Sequence, residues 1–195
     1  MNVNLIAELE REIRGCAICA PHLSHGVRPV FQISPTARIL IAGQAPGRRV
    51  HETGIPFDDP SGDRLREWMR VDRATFYDAG RVAILPMGFC YPGTGKTGDL
   101  PPRPECAKAW RGRVIESLSA VQLTLVIGQY AMEWHLGKQS KPTLTDTVQA
   151  WNQYGPAILP LPHPSPRNNI WLKKNPWFVE TVLPELRSRV AEALA

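Results

Sequence analysis

The chain has 195 residues, a length that suits one domain. Its hydrophobic fraction of 43% is enough for an ordinary buried core, and no apolar run approaches the roughly 18–20 residues that span a bilayer, so no membrane-spanning helix is expected. The net charge of +5, carried mostly by arginine, suits a polyanionic partner such as nucleic acid, because neutralising phosphates releases their counterions.

The first residues, MNVNLIAELEREIRGC, place Glu8, Glu10 and Glu12 among their apolar positions. A secretory signal would have an uninterrupted apolar centre, so the expectation is a soluble, cytoplasmic protein. NLIAELEREI follows a 3.6-residue period and predicts an amphipathic helix. RILIAG (38–43) predicts a short buried strand, and DRLREWMRV predicts a helix with Leu65, Trp68 and Met69 on one face. RVAILPM (81–87) predicts a second strand, followed by a Pro/Gly-rich loop over 91–104. ECAKAWRGRVIESLSAV reads as one helix, LTLVIG (123–128) as a third strand, and QYAMEWHLG as a short helix closing at Gly137. AILPL predicts a fourth strand, and 177–195 a final helix.

Continuous apolar strands alternating with helices predict a three-layer αβα sandwich around a mainly parallel four-stranded sheet. No linker or internal repeat divides it, so residues 1–195 are expected to form one domain. In such sheets ligands sit beyond the C-terminal ends of the strands. That rule selects GQAPG after strand one, MGFC after strand two, GQYAM after strand three and HPSPRN after strand four.

In GQAPG, Gly43 and Gly47 allow a tight turn whose exposed amides can bind an anion or a carbonyl oxygen. It is not a phosphate loop, since it lacks both the Lys-Ser/Thr ending and the Gly-x-Gly-x-x-Gly pattern. GIPFDDPSGD sets Phe57 among turn residues, either to stack on a flat ligand such as a base or to fold into the core. Asp63 is an N-cap candidate for the helix that follows. In HPSPRN, Pro164 and Pro166 fix the backbone and hold His163 in one orientation, as a charge-stabilising group requires. The alternative is a neutral histidine satisfied by backbone partners. Ser165, Arg167, Asn168 and Asn169 are placed to contact phosphates.

The four cysteines are Cys16, Cys19, Cys90 and Cys106. In an intracellular protein they point to metal binding or catalysis rather than disulfides. Four thiolates suit zinc or an iron–sulfur cluster, but structural zinc usually shows two close pairs, and only the first pair is close here. Four unrelated buried thiols remain the alternative.

Together these segments resemble the uracil-DNA glycosylase superfamily, and most closely its family 4. That family has a Gly-Glu-Ala-Pro-Gly turn after the first strand, then Gly-x-Pro-Phe at the gap found here between GQAPG (43–47) and GIPF (54–57). Its cysteines follow the spacing Cys-x-x-Cys, about seventy residues, Cys-x15-Cys, which Cys16, Cys19, Cys90 and Cys106 reproduce. HPSPRN is similar to the superfamily's second motif. The resemblance runs from about residue 10 to residue 180.

The resemblance implies an enzyme that flips uracil out of single- or double-stranded DNA and hydrolyses its N-glycosidic bond, leaving an abasic site and free uracil. Phe57 would stack on the base. Backbone around Gly43, Gln44, Ala45 and Gly88 would meet its polar edge. His163 would stabilise the charge developing on uracil O2. Ser165, Pro166, Arg167 and Asn168 would grip the DNA backbone. Cys16, Cys19, Cys90 and Cys106 would hold a structural [4Fe–4S] cluster, and the protein would act as a monomer.

Four positions depart from the pattern. Gln44 replaces the family 4 glutamate, Ala45 stands where family 1 has its water-activating aspartate, Val50 aligns with a family 4 glutamate, and Pro86 with an asparagine that reads uracil. Candidates for activating water are therefore His51, Glu52, Asp58 and Asp59, with Glu52 and Asp59 joining His163 and Gln44 in the expected catalytic set. Asn168, Asn169 or Gln129 could replace the missing asparagine. A different class is a binding module on the same fold, recognising uracil or abasic DNA with little turnover. A third is an unrelated α/β hydrolase or nucleotide-binding protein.

Overall fold

The computed structural model describes residues 3–96 and 98–195. After helix α1 (Val3–Arg14), strand β1 (Ile39–Ala42) enters the centre of a four-stranded sheet. Helices α2 (Arg48–Thr53), α3 (Pro60–Met69) and α4 (Arg73–Tyr77) lead to β2 (Val82–Ile84). A small hairpin follows, β3 (Thr94–Gly95) and β4 (Gly98–Asp99). Helices α5 (Pro104–Cys106) and α6 (Gly112–Ser117) then precede β5 (Leu123–Ile127). Helices α7 (Gln129–Leu136) and α8 (Leu144–Gln149) precede β6 (Ile158–Leu161), and α9 (Asn169–Lys174) and α10 (Leu183–Leu194) close the chain.

The sheet runs in the order β2-β1-β5-β6 and every pairing is parallel. Successive residues of β1 face opposite layers. Ile39 and Ile41 pack with Leu65 and Met69 of α3 and Leu186 and Val190 of α10. Leu40 packs instead with Ile6, Leu9 and Ile13 of α1 and Val114 of α6. Both faces of the sheet are therefore buried, which is why its strands read as unbroken apolar runs. Pro160 lies on the edge strand β6, where a missing N–H leaves no ladder partner unsatisfied. Among the described residues, no helix is long and apolar enough to cross a membrane.

The expected three-layer arrangement is present, but several local expectations change. The helix expected over 105–121 is interrupted by a π segment, Ala107–Arg111. The extra residue in that turn leaves Arg111 only 1% exposed, directed behind β2. The final helix contains a second π segment, Phe178–Val182, immediately before Pro184. A proline ring crowds the carbonyl four residues earlier, and a widened turn relieves that contact. The loop over 91–104 contains the β3–β4 hairpin, whose two-residue strands carry no readable periodicity. The N-cap of α3 is Asp59, whose Oδ1 accepts from Gly62 N at 2.9 Å; Asp63 instead sits in the first turn and pairs with Arg66.

Candidate active site

A cleft of 690 Å³ opens at the C-terminal ends of β1 and β6. One wall is the GQAPG turn, with Gly43, Gln44 and Ala45 on its surface. Met87 N donates to Gly43 O at 2.9 Å and Gly88 N to Gln44 O at 3.0 Å, so the segment after β2 braces this turn from behind.

Gly88, expected to contact the base, lies outside the cleft lining: its amide is committed to Gln44 O, and a Cβ there would stand 3.1 Å from Pro102 Cβ. Pro86 does line the cleft, so an apolar ring stands where a side-chain amide would read a base. Val50 also lines it and is buried.

Phe57 forms the second wall. Its backbone is left-handed, with φ 54°, a strained conformation for a bulky residue. Three contacts hold it there. Its ring meets Phe76 edge-on with centroids 6.2 Å apart. Its Cζ lies 3.6 Å from where a Cβ on Gly43 would stand, so the missing side chain of Gly43 makes room for the ring. Its carbonyl rests directly on Gly62 of the helix that Asp59 caps. Phe57 thus reaches the cleft while its edge remains packed on the core.

His163 lines the same cleft as Phe57, from the loop after β6. The loop braces itself. Ser165 N donates to His163 Nδ1 at 3.2 Å, Asn168 Nδ2 donates to His163 O at 2.8 Å, and Arg167 N donates to Ser165 Oγ at 3.2 Å. Arg64 of α3 donates to Ser165 O at 3.1 Å, tying this loop to the helix beneath Phe57. Because Nδ1 accepts, the single proton of a neutral ring belongs on Nε2. Burial lowers the His163 pKa, with Asp59 and Asp99 pulling weakly the other way, so the neutral ring is favoured. The arrangement offers a fixed, uncharged N–H donor to a group in the cleft.

The other expected residues divide. Asp59, Ser165, Pro166, Arg167 and Asn168 line the cleft. Glu52 does not: its carboxylate accepts from Arg48 at 3.0 Å on an exposed helix face. Asp58 is drawn to Arg73 at 2.9 Å, and this contact holds its carboxyl below the usual range. His51 lies outside the lining, with its ring edge-on to His25 and tilted against Tyr91. Gln129 donates to Glu133, and Asn169 accepts from Arg64, so neither lines the cleft. The segment GQYAM turns away at Gly128, which has φ 80°. Sequence reading missed Arg48, Arg49, Thr94 and Asp99, all of which line the cleft. The available signal was weak: a charged residue beside glycine in a long loop.

Behind the cleft floor, Arg111 donates to Leu85 O at 3.0 Å and Pro86 O at 3.1 Å, and its Nη2 meets His135 Nε2 at 2.6 Å. Burial first, and the Arg111 charge second, push the His135 pKa down to about 3. The unfolded chain takes up this proton near pH 6.5, and the folded one only near 3. Stability is thus complete above 6.5 and declines as pH falls through that window. Urea unfolding should show a loss of about 2 kcal/mol between pH 6.5 and pH 5. His135→Gln, which keeps an acceptor for Arg111, should flatten that slope; an unchanged slope would assign the loss to other groups.

The cysteines converge from two segments. All four are free of disulfides, and Cys16, Cys19 and Cys90 each act electrostatically on Cys106. Trp110 Nε1 donates to Cys16 Sγ and Phe89 N to Cys106 Sγ, both at 3.3 Å. Burial raises the Cys90 pKa to about 11 and that of Cys106 to about 12, an environment that disfavours bare thiolates. Among the described residues, no three His, Cys, Asp or Glu side chains are arranged to hold a single metal ion. Four converging soft donors, two already accepting N–H bonds, fit a polynuclear iron–sulfur group by their chemistry.

The cleft therefore combines a braced backbone turn, an aromatic wall, a neutral imidazole donor and arginines at its mouth. The family model described as Uracil DNA glycosylase superfamily matches residues 30–187, a span that contains every cleft residue and begins after Cys16 and Cys19. With four-fifths of its length matched and both of its cleft motifs inside that span, the chain belongs to the uracil DNA glycosylase superfamily.

Proposed function

We propose that the protein excises uracil from DNA by hydrolysing the N-glycosidic bond, leaving an abasic site. The observation that carries this reading is the neutral His163, with its Nε2 proton available to a base held against Phe57. As the bond from C1′ to N1 breaks, its electron pair moves onto the uracil ring and O2 gains negative charge. A fixed donor that strengthens its hydrogen bond as that charge grows lowers the barrier. Backbone around Gly43, Gln44 and Ala45 meets the base's polar edge, while Ser165, Pro166, Arg167 and Asn168 engage the strand that carries it. The base must leave the stack to reach this depth. Action as a cytoplasmic monomer on single- or double-stranded DNA belongs to the same reading.

The closer relation to family 4 is supported by the cysteine spacing, and with it we infer a [4Fe–4S] cluster on Cys16, Cys19, Cys90 and Cys106. Its role would be to tie the N-terminal segment to the chain after β2. Anaerobically purified protein should be brown and carry iron and acid-labile sulfide, lost in Cys106→Ala; zinc alone would overturn the inference.

A second reading, a protein that binds uracil or abasic DNA and turns over little, is favoured by one observation. Val50 and Pro86 put apolar groups in the cleft where acid and amide side chains are expected. An assay on oligonucleotides with one uracil, single-stranded and duplex, decides between the two. Alkali-labile breakage at the uracil is expected. Binding to abasic DNA without breakage would favour the second reading.

A further inference from the structure

Hydrolysis in this cleft needs a group to orient water toward C1′. Two acids line it, Asp59 and Asp99. Asp59 Oδ1 accepts from Gly62 N at 2.9 Å as the cap of α3. Glu52 and Asp58 are ion-paired outside the lining. Asp99 is differently placed. It ends β4, directly across the hairpin from Thr94. Its only side-chain hydrogen bond among the described residues is a long one, 3.4 Å, from Thr94 Oγ1 to Oδ1. Its Oδ2 lies 3.5 Å from where a Cβ on Gly47 would stand, so the carboxylate rests against the end of the GQAPG turn. Its charge also reaches the His163 imidazole. Next to it, Gly98 has φ 142°, and a Cβ there would lie 3.0 Å from Arg167 Nη1. The hairpin and the histidine loop thus meet across the cleft mouth.

We propose that Asp99 is the catalytic carboxylate that orients the attacking water, a role that rests on the glycosidic reading above. The water oxygen forms the new bond to C1′ as the bond to N1 breaks. The electron pair of that bond leaves with uracil, held by His163. The water's surplus proton passes to Asp99, which returns it to solvent or to the departing uracil anion. The negative carboxylate also faces the positive charge that builds at C1′.

The test is single-turnover uracil release by wild type, Asp99→Asn, Asp99→Glu, Asp99→Ala and Asp72→Asn. Binding is measured in parallel on an oligonucleotide carrying 2′-fluoro-deoxyuridine, which resists cleavage. Asp99→Asn should lose about 10²–10⁴-fold in rate, the range for a positioned general base, and keep its affinity within threefold. Asp99→Glu should recover part of the rate, and added formate should partly rescue Asp99→Ala, which a merely structural role would not allow. Asp72→Asn, at the cap of α4 and outside the cleft, retains a good helix cap and should stay near wild type. An active wild type with Asp99→Asn within threefold of it overturns the proposal and leaves the glycosylase reading intact. A wild type that releases no uracil fails that reading, and the proposal falls with it.

Discussion

His163→Ala is expected to slow single-turnover uracil release by about 10³-fold, comparable to removing one preorganised donor from an oxyanion site. Affinity for uncleavable uracil DNA should change by less than threefold. The asymmetry follows from when the contact matters. In the ground state O2 is a neutral carbonyl, and the hydrogen bond to Nε2 adds little that water does not supply. In the transition state O2 carries charge, and a donor already held in place needs no reorganisation. Burial lowers the pKa of His163, so protonation is not what makes it active. The rate should therefore not rise as pH falls below about 6.5, the ordinary histidine value. Alanine also removes the acceptor for Ser165 N, which could loosen the loop. His163→Asn offers a second side chain able to donate, and partial activity in it would separate lost chemistry from lost loop order. Retention of the rate within tenfold in His163→Ala would remove the histidine from the chemical step.

Gly62→Ala is expected to be the most damaging small substitution in the site. A Cβ there would stand 1.8 Å from Phe57 O and 2.8 Å from Phe57 Cβ. The obstacle is backbone, not the tip of a flexible side chain. Either α3 shifts, losing Asp59 as its cap and the packing of Leu65 and Met69, or Phe57 leaves its left-handed conformation and its place in the cleft. The loss should be about 3 kcal/mol or more, beyond the usual range for overpacking because the clash is with main chain. Urea unfolding measures it directly. Gly112→Ala is the control. A Cβ at Gly112 in α6 meets nothing within 4 Å, so alanine should stabilise by about 0.5–1 kcal/mol through helix propensity. Equal effects at the two glycines would mean that the Phe57 contact does not constrain the fold.

The architecture was legible because four apolar runs alternate with helical periods, and the structure has the parallel sheet they imply. The two motifs that meet in the cleft, GQAPG and HPSPRN, were found by the strand-end rule alone. Where reading failed, the cause was physical. Helix α2, with six residues, and helix α4, with five, are too short to show a period. The π segments insert one residue and break the pattern that predicted a continuous helix. Glu52 was placed near the chemistry because it lies close to Val50 along the chain, but α2 turns its side chain to Arg48. Gly88 was selected because it follows a strand end, yet its amide supports the turn in front of it. Asp99 escaped notice because a two-residue strand, not a recognisable element, carries it to the cleft.

Strand β5 lies between β1 and β6, two of the strands whose ends border the cleft, and its chain turns away at Gly128. The gap between the ends of β1 and β6 is therefore two interstrand spacings, about 9.6 Å. Main-chain ladders set that gauge, with Ile41 paired to Leu125 and Leu125 to Leu159. The aperture behaves like a fixed caliper. Exchanging Gln44 or Pro86 alters the groups that line the cleft while the spacing of the β1 and β6 ends stays the same. Substitutions in the loops beyond these strands thus change the chemistry of the cleft without moving the strand ends.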